Sequence, residues 1–170
     1  GFKVNITNTF AMFGDLLHHS YIFESIGNAV MISAVIIGVL LILFGKFNSN
    51  WKLYAIISLF LVMVPGFSYV YSIAYMLIPL VAFLNEKKTR KSDYIYLLLF
   101  ILQFGLFIAK KDELFSQFEG SELALNITTL IESVVLLLMM AMLYLDGIIT
   151  TFKSYKGKKI LHIPTKAVAS

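Results

Sequence analysis

Hydroxyl and aromatic side chains recur along residues 68–79. Ser68, Tyr71, Ser72, Tyr75 and Pro79 fall at i, i+3, i+4, i+7 and i+11, one face of an α-helix. Hydroxyls on one stripe can hold a head group or a sugar, and Tyr rings can stack on sugar carbons. An aromatic belt at a membrane surface would use the same residue types. Tyr75, however, would lie about 10 Å in, deeper than a belt residue. Gln103 and Glu132 are polar residues inside otherwise apolar stretches. Each is expected roughly 8–10 Å from the outer end of its helix, so a hydrogen bond between them is expected. An ionised carboxylate at mid-helix costs about 2.5–3.5 kcal/mol on insertion scales. Thr128, Thr129 and Ser133 make the surroundings of Glu132 more polar. The competing reading of the Gln103 and Glu132 pair is interhelical glue.

Other candidates carry less chemistry. His18 and His19 are adjacent, about 100° apart on a helix, and so are poor partners for one metal ion. Asp112, Glu113, Glu119 and Glu122 are scattered through an external loop that reads as solvated. Asp146, beside Gly147, reads as an ordinary boundary residue. Asn5-Ile6-Thr7 and Asn126-Ile127-Thr128 match the glycosylation triplet, but triplets this short arise by chance. There is no phosphate loop, zinc signature or Gly-x-Ser-x-Gly, and the chain has no Cys. No cofactor, metal or catalytic residue is assigned.

The elements that must position these residues follow from composition. Of 170 residues, 59% are apolar and only 14% charged, with a mean hydropathy of +0.83. Soluble domains average roughly 45–50% apolar and about 25% charged. Disorder needs the opposite balance. The expected fold is therefore all-α, a polytopic membrane bundle. About 20 apolar residues cross a bilayer, and five stretches qualify: about 26–45, 51–64, 68–85, 94–109 and 127–146. Pro65-Gly66 divides the second from the third. The second is short enough to be re-entrant. Pro79 is expected to kink the third.

Eleven of the 14 cations fall on one side of these spans. Lys46 and Lys52 follow the first; Lys87, Lys88, Arg90 and Lys91 lie in the 85–93 loop; the other five are in the tail. Lys3, Lys110 and Lys111 lie opposite. The asymmetry places the first side in the cytoplasm and the N-terminus outside, at a cell membrane. Residues 1–25 form an external segment, 26–149 the membrane region and 150–170 a basic cytoplasmic tail. Within 8–21, Phe10, Phe13, Leu16, Leu17 and Tyr21 are expected to form the apolar face of a helix lying in the interface. Lys153 to Lys159 follows a membrane helix directly, so anionic lipid is its expected partner and nucleic acid is not. The chain opens on Gly1 rather than Met, so a piece of a longer protein is expected.

Residues Val64-Pro65-Gly66-Phe67-Ser68-Tyr69-Val70-Tyr71, followed by Met76-Leu77-Ile78-Pro79-Leu80, resemble the C-terminal membrane helices of the glycosyltransferase 87 family. These are polyprenol-phosphate-sugar-dependent mannosyltransferases of GT-C architecture. The similarity covers residues 25 to 90 best. It implies transfer of a sugar from a polyprenol-phosphate-linked donor on the outer face, with Ser68, Tyr69 and Tyr71 lining the sugar-lipid cavity. Tyr75, Gln103 and Glu132 are added as candidate substrate-binding residues from their own placement. The family's catalytic acid belongs to a first external loop that nothing here matches. The alternative is a non-catalytic polytopic protein, a transporter or an assembly subunit. A transporter would show matched broken helices, and only one break is present. A polymerase or ligase using external arginines is disfavoured because the single Arg, Arg90, is expected inside.

Overall fold

The computed structural model describes residues 4–65, 74–86, 93–109 and 122–160. Among these residues every regular element is helical: α1 (Ile6–Leu17), α2 (Ser20–Phe44), α3 (Asn50–Met63), α4 (Leu77–Leu84), α5 (Asp93–Ala109) and α6 (Glu122–Ile160). Segments Ser20–Phe44 and Thr128–Lys156 are long and apolar enough to cross a bilayer, and α3, α4 and α5 are shorter apolar helices.

α1 starts because Asn5 is extended and its side chain accepts from the Asn8 backbone N–H at 2.7 Å. Such a cap contributes about 1 kcal/mol. It ends at His18, which takes the left-handed conformation (φ 57°). The His19 N–H then closes the turn on the Gly14 carbonyl at 2.9 Å. The chain reverses, and α1 runs antiparallel along α2. Gly14 meets Ser20, and Gly27 meets Phe10 and Thr7 so closely that a Cβ there would come within 2.8 Å of the Phe10 Cβ. The helix expected over 8–21 therefore has other bounds. The segment is broken at His18, Tyr21 belongs to α2 and is exposed, and Leu16 and Leu17 are exposed as well. The buried residues of α1 are Ile6, Thr9 and Gly14.

α2 begins six residues before the expected start at 26 and turns Gly27, Ala34, Gly38 and Leu41 inward. It lies parallel to α6. The Tyr144 hydroxyl donates to the Ala34 carbonyl at 2.9 Å, Leu41 abuts Gly147, and the Lys46 N–H donates to the Thr151 hydroxyl at 2.9 Å. Tyr144→Phe is expected to lower stability by about 1 kcal/mol, as read by unfolding in detergent.

α3 is the central helix. Trp51, Ile56, Leu59 and Met63 are fully buried and share one core with Phe100 of α5 and Leu136, Met139 and Leu143 of α6. Tyr54, Ile57 and Leu61 form the exposed side of the same helix. The Trp51 ring meets Phe83 of α4 edge-on at 5.0 Å and Tyr96 of α5 at 5.2 Å.

Two boundaries differ from expectation. Pro79 does not kink a long helix. It is buried in the first turn of α4, behind a 3-10 turn at residues 74–76. An amide in that turn has no intrahelical acceptor, so Pro removes no helix bond there. At the other end of the chain α6 does not stop near 146 or 149. It runs for 39 residues, about 58 Å, and takes the first eleven residues of the expected tail into the helix.

Candidate functional site

Two polar groups are built into the bundle. The first centres on Lys52 in the first turn of α3. Its Nζ lies 2.9 Å from Asp93 Oδ1 and 2.8 Å from Asp146 Oδ2. The Lys52 and Asp93 side chains are 2% and 1% exposed, and that of Asp146 30%. The ammonium also sits 5.3 Å from the Trp51 ring centroid and 5.4 Å from that of Tyr96, within cation–π range. A lysine near a helix N-terminus opposes the helix dipole, whereas Asp93 at the start of α5 is favoured by it. Lys52 is tolerated because two carboxylates and two aromatic faces replace its water. The network ties α3, α5 and α6 together at one level.

Asp146 is thus no ordinary boundary residue. Sequence reasoning passed over Asp93 entirely. The signal was present: one charge at the edge of each of three apolar stretches, all on the same expected side. Opposite charges at one level beside apolar surface have to pair.

The second group lies farther along the same helices. Asp93 and Asp146 share Lys52 and so stand at equal height. Gln103 is about 15 Å from that level along α5, and Glu132 about 21 Å along α6. The two are therefore within about one helical turn in height. Gln103, Thr128, Thr129, Glu132 and Ser133 are all buried. Asn5 and Thr9 of α1 are buried too. The register of α2 on α6, with Leu41 at Gly147, sets Gly27 level with Ser133, and Thr7 and Phe10 pack on Gly27. One polar layer therefore draws on α1, α5 and α6.

The expected Gln103–Glu132 hydrogen bond is not made. Neither atom of the Gln103 amide has a hydrogen-bond partner, and the Ser133 hydroxyl has none. Glu132, Thr128 and Thr129 are each engaged in interactions of their own. Leaving a buried amide unbonded costs about 1–3 kcal/mol. Gln103→Leu is therefore expected to raise stability by about 1 kcal/mol, as measured by detergent unfolding.

Of the remaining candidates, Tyr75 is half-exposed on the surface, outside the buried layer. Pro79, expected on its face, is buried instead. Ser68, Tyr69, Tyr71 and Ser72 lie outside the described residues, as do Asp112, Glu113 and Glu119. Asn5 of the first glycosylation triplet is buried as the α1 cap, accepting from the Thr7 hydroxyl at 2.9 Å. Among the described residues no three His, Asp or Glu side chains are grouped to hold a metal ion.

Comparison with protein families, with curated proteins and with solved structures finds no match for this chain.

Proposed function

We propose that this chain is a bilayer-spanning helical bundle of the cell membrane, and that it forms the C-terminal part of an integral membrane glycosyltransferase using a polyprenol-phosphate-linked sugar on the outer face. The orientation is the one the lysines favour, with the α1–α2 turn outside and the Lys46 turn and the end of α6 inside. The observation that carries the reading is the buried polar layer of Gln103, Glu132 and Ser133. It lies in the half of the bundle away from the lysine-rich turns, where the head group of an outer-leaflet donor would be. Gln103 keeps an unbonded amide there, at a position where Leu would be more stable. Ser68, Tyr69 and Tyr71 enter through the family resemblance, as lining of the sugar-lipid cavity. No residue of this chain is assigned as the catalytic acid or base, and a departing phosphate would draw on external cations such as Lys3, Lys110 and Lys111.

A second reading has one observation in its favour. The polar layer is enclosed, and so are Lys52 and Asp93 of the ion-pair network, as interhelical glue is in membrane bundles. On that reading the chain is a non-catalytic polytopic subunit.

The two separate in a transfer assay. Membranes carrying the reading frame that contains this chain are supplied with a short-chain polyprenyl-phosphate mannose and scored for sugar transfer. The enzyme reading expects transfer, lowered about tenfold or more by Gln103→Leu or Tyr71→Phe without loss of folded protein. No transfer above control membranes would favour the subunit. Orientation is tested separately, because the chain has no Cys to remove. A cysteine in place of His19 should react with an impermeant maleimide on intact cells, and one in place of Asn48 only after permeabilisation. The reverse pattern would overturn the orientation.

A further inference from the structure

Because α6 runs on to Ile160, its surface continues unbroken past the level of Asp146. Leu138, Leu145, Ile149, Phe152, Lys153 and Lys156 fall within about 100° of one another around the helix axis. All six are exposed, Phe152 the most so at 71%. The stripe changes from aliphatic to aromatic to cationic over about 27 Å. The opposite face of this part of α6 is occupied, since Thr150 and Thr151 hold the turn after α2 through Asn48 and Lys46.

The charge on the stripe is not neutralised within α6. The i±3 and i±4 neighbours of Lys153 and Lys156 include no carboxylate. The nearest acid along the helix, Asp146, is committed to Lys52. Two lysines at i and i+3 on an exposed helix face repel each other slightly unless an anion lies between them. Apolar side chains ending in paired cations match a phospholipid in shape and charge. The acyl chains would cover the aliphatic stretch, and the phosphate would lie beyond Phe152, an aromatic residue at the boundary between the two.

We infer that this face of α6 is a binding site for one anionic phospholipid, with its acyl chains along Leu138, Leu145 and Ile149 and its phosphate between Lys153 and Lys156. The inference rests on the bilayer reading and is independent of the enzymatic one. It differs from a diffuse attraction of a basic tail, because it depends on two lysines of a rigid helix and leaves Lys46, at the same level, outside the site.

The test uses the whole chain in phosphatidylcholine vesicles, with spin-labelled phosphatidylglycerol or phosphatidylcholine as the probe. Electron paramagnetic resonance reads the motionally restricted lipid at the protein surface. The wild-type chain should prefer the phosphatidylglycerol probe about fivefold, and added salt should reduce the preference. Lys153→Gln with Lys156→Gln should bring it to about twofold or less, with helix propensity nearly unchanged. Lys46→Gln, which removes an exposed cation at the same level, should leave it intact. Equal selectivity in the wild-type chain and the double variant would overturn the site, and so would an equal loss in Lys46→Gln. Absence of any restricted lipid would instead show that the chain does not enter the bilayer, removing the premise along with the site.

Discussion

Lys52→Met is expected to destabilise the bundle by about 3–5 kcal/mol, the range for removing one partner of a buried ion pair. Met matches the lysine stem in length and apolarity, so the loss is one of charge and not of packing. What remains is Asp93, fully buried, facing Asp146 with no cation between them. Two carboxylates left in that arrangement must each find water or a proton, and α3, α5 and α6 must separate to admit it. Trp51 is the only tryptophan in the chain and lies against the ammonium, so its emission reports the event directly. Titration of the protein in mixed micelles with a denaturing detergent gives the free energy. The matching uncharged variant, Lys52→Met with Asp93→Asn and Asp146→Asn, should recover part of the loss, because a buried amide without a partner costs less than a buried carboxylate without a cation. A change below about 1 kcal/mol in the single variant would mean the pairing contributes little.

Gly38→Ala is expected to cost about 2–3 kcal/mol, although Ala is the better helix former by about 1 kcal/mol. A Cβ at Gly38 would overlap the Tyr144 hydroxyl and come within 3.0 Å of Phe60 Cδ2. Tyr144 would have to move away, breaking its hydrogen bond to the Ala34 carbonyl and separating α2 from α6. Gly105 gives the contrast. Among the described residues nothing lies within 4 Å of a Cβ there, so Gly105→Ala should stabilise by about 0.5–1 kcal/mol. Pairing Gly38→Ala with Tyr144→Phe removes the overlapping oxygen, and the double variant should lose less than the two single costs combined. Additive losses in that cycle would show that the hydroxyl is not what excludes a side chain at Gly38.

Much of the helical content was readable from apolar runs. The expected stretches at 51–64 and 94–109 coincide with α3 and α5 to within a residue. Charges and Pro-Gly bound those stretches in the sequence as the helix ends bound them in space. Where hydropathy and helix propensity part company, the reading erred. Residues 150–160 are polar and basic, but Thr, Phe, Lys, Ser and Tyr all continue a helix once it is nucleated, so α6 does not end where its apolarity does. The bounds of α1 differ from those expected for another reason. Its apolar residues suggested a face, but its place was decided by Gly14 and Gly27, which let two backbones approach. The polar layer was half-anticipated. Gln103 and Glu132 were recognised as buried polar residues at similar height, but the bond between them was not formed, because height along a helix says nothing about azimuth.

The sequence by itself determined that the described residues are helical and where most of their helices lie. Those are properties of single segments, set by local composition and period. Only the tertiary structure decided that Lys52 neutralises Asp93 and Asp146, that α1 folds back on α2, and that Gln103 is enclosed without a partner. Each of these depends on how helices are rotated about their own axes when they pack, and that rotation is chosen by side chains on several segments at once.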